Sequence, residues 1–112
     1  MTKKIEPKPP RHLRAPTRRW WSNVADEYEL EPHHLRLLTL AGETWDRITM
    51  AREALLKLGM TYQDRFGAPH SRPEINVERD NKIIFARLVR ELALDIDPPA
   101  EARLPRIAGT GD

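Results

Sequence analysis

Residues 32–58 read PHHLRLLTLAGETWDRITMAREALLKL and are the basis for predicting the architecture of the chain. Its proline suits a first helical turn and Gly59 directly after it is a natural stop, so the stretch predicts one long helix. Apolar residues recur within it at alternating steps of three and four, interrupted by Arg52, which is typical of a helix that packs along another helix. These positions are Leu38, Ala41, Trp45, Ile48 and Leu55.

The sequence on either side of this stretch predicts two further helices. Thr17 is a candidate cap for a first helix over about residues 18–30, and a third helix is expected over about residues 73–94. Residues 60–73 break both patterns and predict a short β-hairpin or an ordered loop. The expected fold is all-α, with an N-terminal helix followed by a long antiparallel helical hairpin.

Both ends of the chain differ in composition from this helical domain, residues 17–94. Residues 1–16 contain four prolines and few apolar side chains, which predicts a disordered arm. Residues 1–19 carry seven basic residues and one acidic residue, a net charge of 7 − 1 = +6, whereas the remainder carries 12 − 16 = −4. Residues 95–112 are rich in proline and glycine and predict a mobile tail. The charge asymmetry indicates a polyanionic partner.

Several classes of protein do not fit this sequence. There is no cysteine, so disulfides and thiolate metal sites are excluded and a cytosolic location is the default. No apolar run approaches the roughly 18–20 residues that a membrane span needs. We also find no phosphate-binding loop and no nucleophile with a neighbouring base, so neither an enzyme nor a bound cofactor is expected.

Some residue pairs suggest chemistry but have a simpler explanation. Neighbouring histidines on a helix point apart, so His33 and His34 are expected to be solvated rather than to bind zinc. At least one of Trp20 and Trp21 is expected in the core, with the other meeting a neighbour, because adjacent helical residues point about 100° apart. Three carboxylates are each followed or preceded by arginine, which predicts local salt bridges rather than a catalytic pair. These pairs are Asp46–Arg47, Asp64–Arg65 and Arg79–Asp80.

The order of short segments along the chain is more specific than any single motif. The segments are Leu35–Arg47, Ala51–Leu55, Gly59, Asp64-Arg65-Phe66-Gly67, Arg72-Pro73-Glu74, Glu78-Arg79-Asp80, Phe85–Leu92, Pro98-Pro99 and Leu104-Pro105-Arg106. This order, over about residues 20–107, resembles the small-terminase family of tailed phages. The resemblance implies a ring of roughly eight to ten subunits that recognises the packaging site of the viral genome. It also implies that the protein brings the large terminase subunit, an ATPase and nuclease, to double-stranded viral DNA in the host cytoplasm.

The expected sites follow from the charge pattern, the apolar stripes and the resemblance. The second helix begins with His33, His34 and Arg36 and then turns apolar, so it is a poor reader of the major groove. DNA contact is therefore assigned to Lys3, Lys4, Lys8, Arg11, Arg14, Arg18, Arg19 and Arg36. The stripes are wider than one hairpin partner covers, which predicts an oligomer interface through Leu38, Trp45, Ile48, Leu55, Ile84, Phe85, Leu88 and Leu92. The resemblance makes Arg103, Leu104, Arg106 and Ile107 candidates for contact with the large subunit.

Three alternatives remain open at the level of sequence. The first is a small helical, oligomeric adaptor that binds another protein without specific DNA recognition. The second is an RNA-binding or regulatory protein, which the tryptophans beside the basic residues would suit. The third is a small metal-dependent nuclease, for which the spacing of the carboxylates gives little support.

Overall fold

A computed structural model describes residues 7–93 and 98–99 of the chain. Three helices dominate this part, and a two-stranded sheet lies between the second and the third. The elements are α1 (Ala15–Glu27), α2 (Pro32–Leu58), β1 (Thr61–Gln63), β2 (Pro69–Ser71) and α3 (Pro73–Leu92). The fold is therefore mostly helical, as predicted. No helix in the described ranges combines the length and the apolar character needed to span a bilayer.

Helices α2 and α3 form the antiparallel hairpin that the sequence predicts. Arg52 of α2 pairs with Glu78 of α3, and Trp45 of α2 packs against Phe85 of α3 with ring centroids 4.8 Å apart. The two helices therefore run in opposite directions. The bounds of α2 are the predicted ones, and Gly59 ends the helix at φ 84°, where a side chain would be strained. Helix α3 ends two residues before the predicted Leu94.

Helix α1 begins earlier than predicted and packs antiparallel to the first half of α2. Its N-cap is Arg14, whose side chain makes no capping hydrogen bond, and Pro16 lies in the first turn. Thr17 is therefore not the cap: it is buried inside the first turn and donates a 2.6 Å hydrogen bond to Asp46. Further along α1, Trp21 Nε1 donates to Thr39 Oγ1 at 3.2 Å.

The end of the predicted disordered arm is instead part of the core. Leu13 is 1% exposed, and the backbone N–H of Arg14 donates a 2.9 Å hydrogen bond to Asp46. Gly42 makes this close approach feasible, because a Cβ there would lie 3.1 Å from side-chain atoms of both Leu13 and Thr17. Sequence reasoning missed this because one leucine among prolines and arginines carries no periodic signal. Residues 1–6 lie outside the described residues.

The core includes half of the residues predicted for the oligomer interface. Four of these eight residues are buried within the single chain: Leu38, Ile48, Phe85 and Leu92. Helix α1 and Leu13 pack on the α2–α3 hairpin and belong to the same core as these residues. For example, the ring centroids of Trp20 and Phe85 are 6.1 Å apart. Trp45, Leu55 and Leu88 are half-buried, and Ile84 is exposed.

Residues 61–71 form the β-hairpin that was one of two structures predicted for this segment. Thr61 pairs with Ser71, Tyr62 with His70 and Gln63 with Pro69. Every residue of both strands is exposed, so the sheet projects from the junction of α2 and α3 rather than packing on them. A two-stranded sheet on its own is only marginally stable in water, so the loop that joins the two strands is expected to contribute to the stability of the sheet.

Candidate nucleic-acid interface

The chain before α1 carries basic residues and lies beside the basic first half of this helix. Residues 7–23 contain five basic residues and no acidic one. The chain before α1 runs back along the helix, so that Pro9 lines a shallow groove with Arg18 and Arg19. Arg18 Nη1 donates hydrogen bonds to the carbonyl oxygens of Arg11 and Leu13 and so holds the turn in place. We call this surface the basic face; it comprises Lys8, Arg11, Arg18 and Arg19.

The side chains of the basic face differ in their exposure and in the contacts that they make within the protein. Arg18 is half-buried and supports the turn, whereas Lys8, Arg11 and Arg19 are exposed. Within the described residues, none of these three forms an ion pair with a carboxylate. Their charge is therefore directed to solvent rather than neutralised by the protein.

Arg14, a predicted DNA-binding residue, forms an ion pair within the protein. Its guanidinium donates two hydrogen bonds of 3.0 Å to the two carboxylate oxygens of Glu53. The hydrogen bond from Arg14 lowers the pKa of Glu53. The bidentate geometry fixes the side chain along α2, so Arg14 contributes less charge to the basic face than its position suggests.

The remaining predicted DNA-binding residues lie elsewhere. Arg36 is exposed on α2, in a different shallow groove lined also by Leu35, Thr39 and Leu40. It forms no ion pair with a carboxylate in the described part of the chain. Lys3 and Lys4 fall outside the described residues, as do the four residues proposed for contact with the large subunit: Arg103, Leu104, Arg106 and Ile107.

An acidic region limits the basic face at the other end of α1. Asp26, Glu29 and Glu31 line a second groove, together with Pro7 and the end of the helix. Because Pro7 lines this groove and Pro9 lines the groove with Arg18 and Arg19, Lys8 lies on the chain between the acidic and the basic region.

Both tryptophans beside the basic face are buried. Trp20 is 8% exposed and Trp21 is 3% exposed, because α1 packs against the α2–α3 hairpin: Trp20 contacts Phe85 of α3, and Trp21 contacts Thr39 of α2. The expectation that one of the pair would meet a neighbouring molecule is wrong. Neither indole face is available for stacking on a base, which removes the main support for the single-stranded RNA alternative.

The carboxylates are used for structure, although two of the predicted pairs are wrong. Asp46 binds Thr17 and the backbone of Arg14 rather than Arg47. Asp64 accepts hydrogen bonds within its own loop rather than from Arg65. The third predicted pair is present, with Arg79 Nε 3.4 Å from Asp80 Oδ1 on the surface. Sequence adjacency did not identify the partners of Asp46 and Asp64, because both carboxylates accept hydrogen bonds from the donors that the fold places nearest to them.

One of the two histidines at the start of α2, His34, has a capping role. His34 Nδ1 accepts a 3.2 Å hydrogen bond from the backbone N–H of Glu31. Contrary to the expectation that the two side chains point apart, the rings of His33 and His34 lie 4.0 Å from each other. In residues 7–93 and 98–99, no group of three or more His, Asp or Glu side chains is placed to hold a metal ion.

Sequence reasoning missed a set of exposed apolar residues around the β-hairpin. Phe66 at its tip is 80% exposed, and Met50 and Val77 lie exposed at its base on α2 and α3. The signal in the sequence is an aromatic residue beside glycine in a turn, in the segment Asp64-Arg65-Phe66-Gly67. No protein-family model, no curated protein and no solved structure matches this chain.

Proposed function

We propose that this chain is the small subunit of a phage terminase, which binds double-stranded viral DNA as a homo-oligomeric ring and brings the large ATPase-nuclease subunit to it. The observation that carries the proposal is the basic face, where Lys8, Arg11 and Arg19 are exposed and, within the described residues, form no ion pair with a carboxylate. The order of motifs along α2, the β-hairpin and α3 supports the assignment to the terminase family.

Binding on this surface is electrostatic. Each lysine or arginine that reaches a phosphate releases condensed counterions, so affinity falls steeply as salt concentration rises. Arg18 holds the backbone of residue 11 against α1, so part of the face is ordered before DNA arrives. Such contacts position a duplex without reading its bases, and selectivity then comes from DNA shape or from several subunits binding together.

Assembly supplies the affinity that one subunit lacks. A few phosphate contacts on one chain give weak binding, whereas a ring presents the same face many times to one DNA molecule. The exposed apolar residues Met50 and Val77, which line one groove, support self-association, since apolar patches on a protein surface often mark interfaces. A ring of roughly eight to ten subunits fits the family resemblance.

The proposal is tested by replacing exposed cations of the basic face with alanine. Lys8→Ala, Arg11→Ala and Arg19→Ala together remove three candidate phosphate contacts per subunit and leave the buried residues intact. Deleting the N-terminal residues is a poorer test, because Leu13 belongs to the core. Affinity for duplex DNA is measured by fluorescence anisotropy over a series of salt concentrations. Loss of three contacts makes the slope of log K against log salt shallower by about 2.7 per bound subunit.

A control variant separates local contact from total charge. Lys57→Ala, Arg87→Ala and Arg90→Ala remove the same charge from exposed positions on α2 and α3. The slope for this variant stays near that of the unaltered protein if the basic face carries the binding. An equal loss in both variants contradicts the basic face as the DNA site. Weak binding with a shallow slope in the unaltered protein favours the adaptor alternative.

A further inference from the structure

Phe66 is held away from the core at the tip of the β-hairpin. It is 80% exposed, whereas Trp20, Trp21 and Phe85 are buried. Arg65 lies over its ring at 4.9 Å, so one face of the aromatic group carries a cation. An exposed aromatic residue is a common anchor in protein interfaces, because it buries a large area with little loss of conformational freedom.

The loop that carries Phe66 is ordered by its own hydrogen bonds. Asp64 Oδ1 accepts from the backbone N–H groups of Phe66 at 2.8 Å and Ala68 at 3.0 Å, and Asp64 Oδ2 accepts from His70 Nε2 at 2.8 Å. Gly67 adopts φ 81°, which favours glycine. The position of Phe66 is therefore set before any partner binds, and little ordering entropy is lost on contact.

A groove at the base of the same hairpin is suited to an aromatic side chain. It runs between α2 and the first turns of α3 and is lined by Arg47, Met50, Ala51, Ala54, Glu74 and Val77. Its floor is apolar, and its two charged residues lie on opposite walls, Arg47 on α2 and Glu74 on α3. Within the described residues, Glu74 forms no ion pair.

We propose that Phe66 of one copy of this chain inserts into the groove between Met50 and Val77 of the next copy. The charges favour one orientation: Arg65, beside the inserted ring, faces Glu74 on the α3 wall and stays clear of Arg47 on the α2 wall. A second copy is the occupant that fits, because each chain carries both the anchor and a groove that its own anchor leaves empty. This contact specifies the self-association on which the proposed function depends.

The contact is heterologous, since the anchor and the groove are different parts of the chain. Each copy then binds one neighbour through Phe66 and another through its groove, and the series closes as a ring if the rotation per copy allows. A reciprocal dimer, in which two copies exchange anchors, is the competing arrangement. The two arrangements differ in the number of chains that can be linked covalently.

Cysteine cross-linking tests the contact directly, because the chain contains no cysteine. The double variant Ala68→Cys with Ala54→Cys leaves the Phe66 ring and Met50 in place; it is oxidised and its products are separated under non-reducing conditions. The head-to-tail contact gives a ladder of linked chains beyond the dimer. The control, Ala68→Cys with Leu56→Cys, uses an exposed position outside the groove and gives no ladder. Disulfides form only across Cα distances of roughly 4.4–6.8 Å, so the reaction reports close contact.

The solution mass of a charged variant separates this contact from the wider proposal. Phe66→Glu places a charge on the anchor and is expected to lower the mass measured by light scattering, whereas Leu56→Glu leaves it unchanged. Circular dichroism checks that both variants keep their helices. A linked product that stops at the dimer, or a Phe66→Glu protein that remains fully assembled, overturns the contact. If the Phe66→Glu protein remains fully assembled, the proposed function still stands. The proposed function fails separately if the unaltered protein is a monomer that does not bind DNA.

Discussion

Asp46 shows how one residue ties the N-terminal segment to the helical hairpin. Its carboxylate is 8% exposed and accepts a 2.6 Å hydrogen bond from the hydroxyl of Thr17 and a 2.9 Å hydrogen bond from the backbone of Arg14. Hydrogen bonds to a charged acceptor are stronger than those between neutral groups. Asp46 thereby holds the start of α1 against α2 and, with it, the turn that carries the basic face.

Replacing Asp46 with alanine is expected to destabilise the fold. The substitution leaves the hydroxyl of Thr17 and the N–H of Arg14 without their acceptor, which lowers the free energy of unfolding by about 3 kcal/mol. Urea unfolding followed by circular dichroism measures the change. Asp80→Ala, at an exposed position on α3, serves as the control and shifts the value by less than about 0.5 kcal/mol. Equal effects of the two substitutions would show that the Asp46 contacts contribute little.

The α2–α3 hairpin is stabilised by a partly buried charge cluster as well as by apolar packing. Nε and Nη2 of Arg52 both donate to Oε2 of Glu78, at 3.1 and 3.0 Å, and Lys82 Nζ lies 3.0 Å from the same oxygen. Burial raises the pKa of Glu78, but the hydrogen bonds from Lys82 and Arg52 outweigh it, so the pKa is lowered. This pairing explains why a charged residue interrupts the apolar stripe of α2.

At the scale of the β-hairpin, acid is expected to release the loop that holds Phe66. The hydrogen bond from His70, followed by those from the backbones of Ala68 and Phe66, lowers the pKa of Asp64. A lowered pKa means that the stabilisation is present above the ordinary aspartate value of about 3.9 and is lost as pH falls through the native value. Amide chemical shifts of Phe66 and Ala68, followed by NMR between about pH 5 and pH 2, report the change locally.

The control for this prediction is Asp64→Asn. An amide does not titrate, so in this variant the shifts of Phe66 and Ala68 lose their acid-dependent step. Local signals are needed because the pKa values of Glu53 and Glu78 are also lowered, and global stability therefore falls in acid for other reasons. A step that persists unchanged in the asparagine variant contradicts the role assigned to Asp64.

The elements could be predicted from sequence where a local signal marks them. Proline and glycine at the ends of α2, and the break in periodicity over residues 60–73, gave bounds that the structure confirms. The start of α1 was missed because Arg14 offers no capping side chain, and the burial of Leu13 depends on its contact with Gly42. Such contacts between residues far apart in sequence decide which charges and apolar residues remain on the surface, and no periodic pattern reports them.

For the whole molecule, the charged surface and the exposed apolar surface lie on different elements. The basic face lies along α1, whereas the anchor lies at the tip of the β-hairpin and the groove lies between α2 and α3. The start of α1 packs beside the same part of α2 as the groove, since Arg14 pairs with Glu53 and Thr17 binds Asp46. The sequence predicted a basic surface and an exposed apolar surface, but it assigned the interface to residues that are buried in the core, such as Leu38 and Ile48.

The solution mass of the protein, measured by multi-angle light scattering, is the decisive measurement for the proposed ring. The protomer mass is 13.0 kDa. A ring-forming DNA-packaging subunit is expected to give a mass of many protomers that does not change on dilution. A stable monomer of 13.0 kDa would contradict the account, because both the multivalent binding of DNA and the insertion of Phe66 into a neighbour require assembly.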